Sequence, residues 1–261
     1  MSYIRNYIDD INKKNRKALS IFLTAGFPSK NNFVELAKNV LDAGADMIEI
    51  GIPFSDPLAD GPIIQASSKI ALDNGVNLHD VLKYSEEIAK CSSKPIILMG
   101  YANPILKYGS KKFFNNAKEA GVKGLIVPDV PLEEYNSFFE EQSDGIDIIL
   151  LTTPTSSDER IKSIDEKSEG FVYCVSVVGT TGIKNNFGSD TLNNLKRTYP
   201  LLKKNKMMIG FGISKPVDVK TFSPCCDGVI VGSRIMKSLL DNDKAEDTLA
   251  IISSLRKACI L

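Results

Sequence analysis

Asp46-Met-Ile-Glu-Ile-Gly-Ile-Pro-Phe-Ser-Asp-Pro-Leu-Ala-Asp-Gly-Pro62 places two carboxylates where solvation explains neither easily. Residues 47–52 are apolar almost throughout, the composition of a short parallel strand buried on both faces, and Glu49 interrupts them two residues before Gly51. A charge in such a run is costly unless it is used. Pro53, Asp56, Pro57, Asp60, Gly61 and Pro62 are turn formers, so Asp60 falls on a loop leaving the strand end that carries Glu49. One mouth can receive both.

Outward from this stretch, apolar runs ending at or near Gly or Pro recur at 19–24, 95–99, 124–127, 146–151, 171–175, 207–210 and 228–231, which with 47–51 predicts eight strands. Between them the spacing is helical, as in Phe33, Leu36, Ala37, Val40 and Leu41, or Val81, Leu82, Ser85, Ile88 and Ala89. Eight continuously apolar strands alternating with helices in about 250 residues fit an α/β fold of the (β/α)8 TIM-barrel type. An open doubly wound sheet would use fewer strands or carry a nucleotide fingerprint, and neither Rossmann nor P-loop spacing is present. Ala43-Gly44-Ala45-Asp46, Ala120-Gly121-Val122-Lys123 and Cys226-Asp227-Gly228 each precede a strand, an echo that shared αβ-turn chemistry produces without duplication. Residues 1–15 put Tyr3, Ile4, Tyr7, Ile8 and Ile11 on one face, predicting an extra N-terminal helix under the barrel. No linker or low-complexity segment divides the chain, so 1–261 is expected to be a single barrel domain.

With 43% hydrophobic residues in 261, the chain can bury a large core. The 32 basic and 32 acidic residues cancel and are spread along it, which argues against a nucleic-acid or polybasic membrane footprint. The charged amino terminus has no apolar h-region and no run approaches the roughly 20 residues of a membrane span, so a soluble cytoplasmic protein is expected. Cys91, Cys174, Cys225, Cys226 and Cys259 form no CxxC pair, which predicts neither a disulfide framework nor a metal site. Cys174 reads as a small buried hydrophobe, and His79, the only histidine, as part of a helix start.

In a barrel the site lies at the carboxyl ends of the strands. Glu49, partly surrounded by apolar side chains, is suited to a raised pKa and general acid/base work. Asp60, on its Gly/Pro-bounded loop, is suited to remain ionised and accept a substrate N–H. The competing readings are a buried ion pair for Glu49 and a helix cap for Asp60 at Gly61-Pro62. A second constellation is the glycines of Gly179-Thr-Thr-Gly182, Gly210-Phe-Gly-Ile-Ser214 and Val231-Gly-Ser233, after the sixth, seventh and eighth predicted strands. Their backbone N–H groups, with a helix starting at Ser233, predict a phosphomonoester site.

These residues carry a resemblance. Pro53-Phe-Ser-Asp-Pro-Leu-Ala-Asp-Gly-Pro62, with Glu49 eleven residues ahead of Asp60, resembles the signature of the tryptophan synthase alpha subunit family. The likeness continues through Phe22-Leu-Thr-Ala-Gly-Phe-Pro28, Tyr101-Ala-Asn-Pro104, Val127-Pro-Asp-Val-Pro131 and the three glycine motifs, essentially the whole chain. It implies a carbon-carbon lyase of tryptophan biosynthesis that cleaves indole-3-glycerol phosphate by retro-aldol chemistry to indole and glyceraldehyde 3-phosphate. Glu49 would shuttle protons, Asp60 would accept the indole N–H, and Tyr173 would line the same pocket. Phe22, Met99, Ile126, Leu151 and Phe211 would form the indole slot, though their types also suit plain barrel core. The resemblance assigns phosphate to the backbone of Gly182, Gly212, Gly232 and Ser233. It makes 178–189 a mobile lid in which Thr181 meets Asp60; Val177 departs from the arginine that several members have just ahead of this lid.

The resemblance further implies an alpha2-beta2 complex in which indole is channelled to a beta subunit. Pyridoxal phosphate belongs to that partner and no cofactor to this chain. Pro53, Phe54, Asp56, Asn103, Pro104, Leu106, Tyr108, Asp129 and Pro131, on strand-end loops, are the expected interface. Two other readings are weighed: a module that chiefly activates a beta subunit, and a sugar-phosphate aldolase or isomerase, for which Lys184 and Lys215 lie near suitable loops but not in strands.

Overall fold

Each predicted strand forms, and almost every strand residue is buried. The computed structural model describes residues 2–140, 145–176, 189–241 and 245–261. Within them the strands are β1 (Ala18–Thr24), β2 (Met47–Gly51), β3 (Ile96–Met99), β4 (Gly124–Ile126), β5 (Asp147–Ile148), β6 (Leu151–Thr152), β7 (Phe171–Val175), β8 (Lys206–Gly210) and β9 (Gly228–Val231). All pair in parallel, as near-continuous apolar runs covered on both faces should.

The sheet order runs β5, β4, β3, β2, β1, β9, β8, β7, β6. Its two ends, β5 and β6, are successive pieces of one predicted strand. Ile148 pairs with Leu125 on one side and Leu151 with Tyr173 on the other, so the segment between them closes the barrel through the chain itself. The split has a local cause: the Leu150 N–H donates to Ser168 Oγ at 3.1 Å instead of to a neighbouring strand. Nine ladder segments therefore make the eight staves of a (β/α)8 barrel.

Helices separate most of the strands. α1 (Tyr3–Asn12) precedes β1; α2 (Phe33–Asp42), α3 (Pro62–Asp73), α4 (Leu78–Ala89), α5 (Ala102–Tyr108), α6 (Ser110–Glu119), α7 (Asp158–Lys167), α8 (Ser189–Thr198), α9 (Pro216–Phe222), α10 (Ser233–Leu240) and α11 (Ala245–Ala258) follow in order. α1 buries Ile4, Ile8 and Ile11, and Ile4 packs near Gly124 and Gly170 at the starts of β4 and β7. Asp147 Oδ2 accepts from Ser2 Oγ at 2.6 Å and from the Ile4 N–H at 3.1 Å, fixing the start of α1 to the barrel bottom. His79 lies in the first turn of α4, whose cap is Asn77, and Cys174 is buried in β7. α5 corrects one expectation: Asn103, Pro104, Leu106 and Tyr108 stand on a helix rather than a loop, its start held by Asp129, which accepts the Ala102 N–H at 3.0 Å.

Candidate active site

Alternation along a strand sends Ser20 and Phe22 of β1, Glu49 of β2, Met99 of β3 and Tyr173 of β7 to the barrel interior. Register aligns Phe22 with Glu49, Glu49 with Ile97, and Leu151 with Tyr173. Phe22, Glu49, Met99 and Tyr173 meet in one narrow cleft at the carboxyl ends of the strands. Its lining brings together Phe22, Glu49, Asp60, Met99, Tyr173, Phe211, Gly212, Gly232 and Ser233, and adds Ile64, Ile213 and Ile230.

Glu49 is completely buried. Its Oε1 accepts from Ser20 Oγ at 2.8 Å, and its Oε2 has no hydrogen-bond partner among the described residues. Burial pushes its pKa up to about 8, against which the Ser20 hydrogen bond acts, so the carboxyl is mainly protonated at neutral pH. The ion-pair reading fails, because no cation lines the cleft among the described residues.

Asp60 is 8% exposed, and its Oδ2 accepts from Tyr101 Oη at 3.0 Å. Burial raises its pKa to about 6, again opposed by the hydroxyl donor, which leaves it mainly ionised at neutral pH. Tyr101 also accepts the Ala59 N–H at 3.1 Å, tying the loop after β2 to the end of β3. The capping alternative fails too: the residue at the N-cap of α3 is Gly61, not Asp60. Tyr173 is held as a neutral phenol by burial and by the two carboxyl groups.

Two features shape the opposite wall. Phe211 has φ of 71°, a left-handed conformation that costs a non-glycine residue roughly 1–3 kcal/mol. Its carbonyl is fixed by Ser176 Oγ at 2.6 Å, and its ring meets Tyr173 edge-on at 5.9 Å between centroids. Gly210 makes room for Tyr173: an added Cβ would lie 2.1 Å from the phenol oxygen. Beside this wall, Gly212, Gly232 and Ser233 stand where the N-terminus of α10 opens on the cleft, and the first N–H groups of a helix have no intrahelical acceptor.

Other expected residues lie elsewhere. Ile126 is fully buried outside the cleft lining, and Leu151 lines an adjoining groove that shares Phe211 with the cleft. Pro53 is buried, Phe54 is half-buried with its ring 5.4 Å from that of Tyr101, and Asp56, Asn103, Leu106, Asp129 and Pro131 are exposed, while Pro104 and Tyr108 are half-buried. Lys215 is exposed on a separate cavity. Val177, Thr181, Gly182, Lys184 and the expected lid up to 188 lie outside the described residues.

Sequence reasoning missed Ser20 and Tyr101 as partners of the two carboxylates. Tyr101 had a signal, a polar aromatic at a strand end. Ser20 had a fainter one, a hydroxyl at an inward position of an otherwise apolar strand.

Comparison with known proteins adds to this geometry. Residues 8–258 match the family model described as tryptophan synthase alpha chain. The tryptophan synthase alpha chain of Thermoanaerobacter sp. (strain X514) is 41% identical over 98% of this chain and 99% of the relative. That of Synechocystis sp. (strain ATCC 27184 / PCC 6803 / Kazusa) is 42% identical over 96% of each. Among solved structures, a Mycobacterium tuberculosis tryptophan synthase chain superposes with a TM-score of 0.90 at 30% identity, covering 100% of this chain and 99% of that one. The tryptophan synthase subunit alpha of Legionella pneumophila str. Paris gives 0.86 at 33% identity, covering 99% and 98%.

Proposed function

The chain belongs to the tryptophan synthase alpha chain family, a lyase family that cleaves indole-3-glycerol phosphate to indole and glyceraldehyde 3-phosphate, and we propose that Glu49 and Asp60 divide the proton transfers of that reaction. The observation that carries this reading is the fully buried Glu49, with Oε2 unpartnered among the described residues, in one cleft with Asp60.

Proton accounting favours a protonated Glu49 at the start. Glu49 gives its proton to ring carbon C3 as the nitrogen lone pair pushes into the ring, and the ionised Asp60 accepts the N–H of the resulting indolenine cation. The Glu49 carboxylate then takes the proton from the side-chain hydroxyl. The carbon-carbon bond breaks, its electron pair restores the indole ring, and the former alcohol carbon becomes the aldehyde. Glu49 ends protonated, so the cycle neither gains nor loses a proton. A pKa near 8 for Glu49 and near 6 for Asp60 supports these starting states.

Phe22, Met99 and Phe211 contact the indole ring, with Leu151 and Ile126 assigned to the wall behind it, and Tyr173 packs beside the reacting carbon as a neutral phenol. The phosphate rests on the backbone N–H groups of Gly182, Gly212, Gly232 and Ser233, and Thr181 meets Asp60 when 178–189 closes as a lid. Phe54, Asp56, Asn103, Pro104, Leu106, Tyr108, Asp129 and Pro131, with Pro53 shaping the loop beneath, face a beta subunit in an alpha2-beta2 complex that receives the indole. Pyridoxal phosphate is bound by that partner and no cofactor by this chain. No described helix is long and apolar enough to cross a membrane, and a cytoplasmic location is part of this proposal.

The test is indole release from indole-3-glycerol phosphate by the purified chain, alone and with a matching beta subunit. Slow release that rises strongly with the partner is expected. Normal activation of the partner with negligible release in both conditions would instead make the chain an activating module.

A further inference from the structure

Glu49 is the one fully buried carboxyl in the cleft, and Ser20 is the only described residue that hydrogen-bonds to it. Ser20 is itself completely buried on β1, one inward position before Phe22. Its register partner is Met47, so its hydroxyl reaches diagonally across the β1–β2 ladder to the Glu49 side chain. Serine is a poor choice for a buried strand position unless its hydroxyl has a task, because β-branched and larger apolar residues pack better there.

We infer that Ser20 is a positioning residue for the proposed proton transfers: its hydroxyl holds Oε1 of Glu49 and thereby reserves Oε2 for exchanging the proton with substrate. An Oε1 that accepts from Ser20 is the poorer place for the acid proton, so that proton belongs on Oε2, which has no described partner. Without the hydroxyl, the carboxyl could rotate or carry its proton on either oxygen, and the productive fraction would fall. The same bond opposes the effect of burial on Glu49 and keeps it a usable acid. Among the described residues, the other ionisable groups near Glu49 are Asp60 from the loop after β2, Tyr173 from β7, and Tyr101 beyond Asp60 at the end of β3. None of them is a cation. Ser20 is therefore the described group that most directly favours the ionised carboxylate.

This inference rests on the proposed role of Glu49, and its test separates the two. Ser20→Ala, Ser20→Thr and wild type are compared in the full chain with its beta subunit for kcat, KM and their pH dependence. The Glu49 carboxyl is titrated separately in each by 13C NMR, assigned by its loss in Glu49→Gln. Ser20→Ala is expected to lower kcat about tenfold with KM within about twofold, and to raise the Glu49 titration and the alkaline limb of kcat together by about one pH unit. Ser20→Thr restores the hydroxyl and returns both toward wild type. Ser85→Ala, which removes a buried hydroxyl that donates to the Val81 carbonyl, should change neither. A Glu49 titration or a kcat unmoved in Ser20→Ala overturns the inference. If wild type itself releases no indole, the functional reading fails, and the NMR titration still decides whether Ser20 governs Glu49.

Discussion

Replacing Glu49 with glutamine should change how stability depends on pH, by an amount set by the burial of this one side chain. Burial pushes the Glu49 carboxyl up to about 8 in the folded chain, against its ordinary value of 4.5. Between those values the folded chain holds a proton that the unfolded chain has released, so this group's contribution is fully present below about 4.5 and is lost as pH rises through about 8. The two values lie about 3.5 pH units apart, equivalent to about 5 kcal/mol in full, of which about 4 kcal/mol falls between about pH 5 and pH 9. Glutamine preserves the shape and cannot ionise. Urea unfolding of wild type and Glu49→Gln at pH 5, 7 and 9 isolates this group, because every other titrating residue is common to both chains. Wild type should lose about 4 kcal/mol relative to the variant across the range. A difference that stays constant within about 1 kcal/mol would refute the claim that Glu49 is held neutral by burial.

The same two carboxyl groups should give kcat a bell-shaped pH profile, rising through about 6 as Asp60 ionises and falling through about 8 as Glu49 loses its proton. Tyr101→Phe removes the donor to Asp60 and should move only the acid limb, upward; movement of the alkaline limb instead would reverse the assignment. Gly210→Ala should displace the Tyr173 ring and cost about 1–3 kcal/mol in stability, with a loss of turnover larger than any change in secondary structure by circular dichroism. Unchanged activity in that variant would mean that Tyr173 does not need its present place.

The barrel was largely legible because buried parallel strands are written as continuous apolar runs, and seven of the eight predicted strands form as single ladder segments. The fifth, 146–151, reads as one run because periodicity does not show which partner each backbone N–H takes; Ser168 Oγ captures that of Leu150 and splits the ladder. α5 was hidden because Asn103-Pro104 looks like a turn, while its start depends on Asp129, distant in sequence. Glu49 and Asp60 stood out as charges in places that solvation does not explain. Their hydroxyl partners carried weaker signals, and which carboxyl each of Ser20 and Tyr101 serves emerges only when the barrel brings three strand ends together.

The most direct test of the central claim is indole release from indole-3-glycerol phosphate by Glu49→Gln and wild type, each with its beta subunit and each shown to be folded. If Glu49 carries the proton to C3 and takes it back from the hydroxyl, the variant binds substrate and releases no measurable indole while wild type turns over. Comparable release by both would contradict that account of the chemistry.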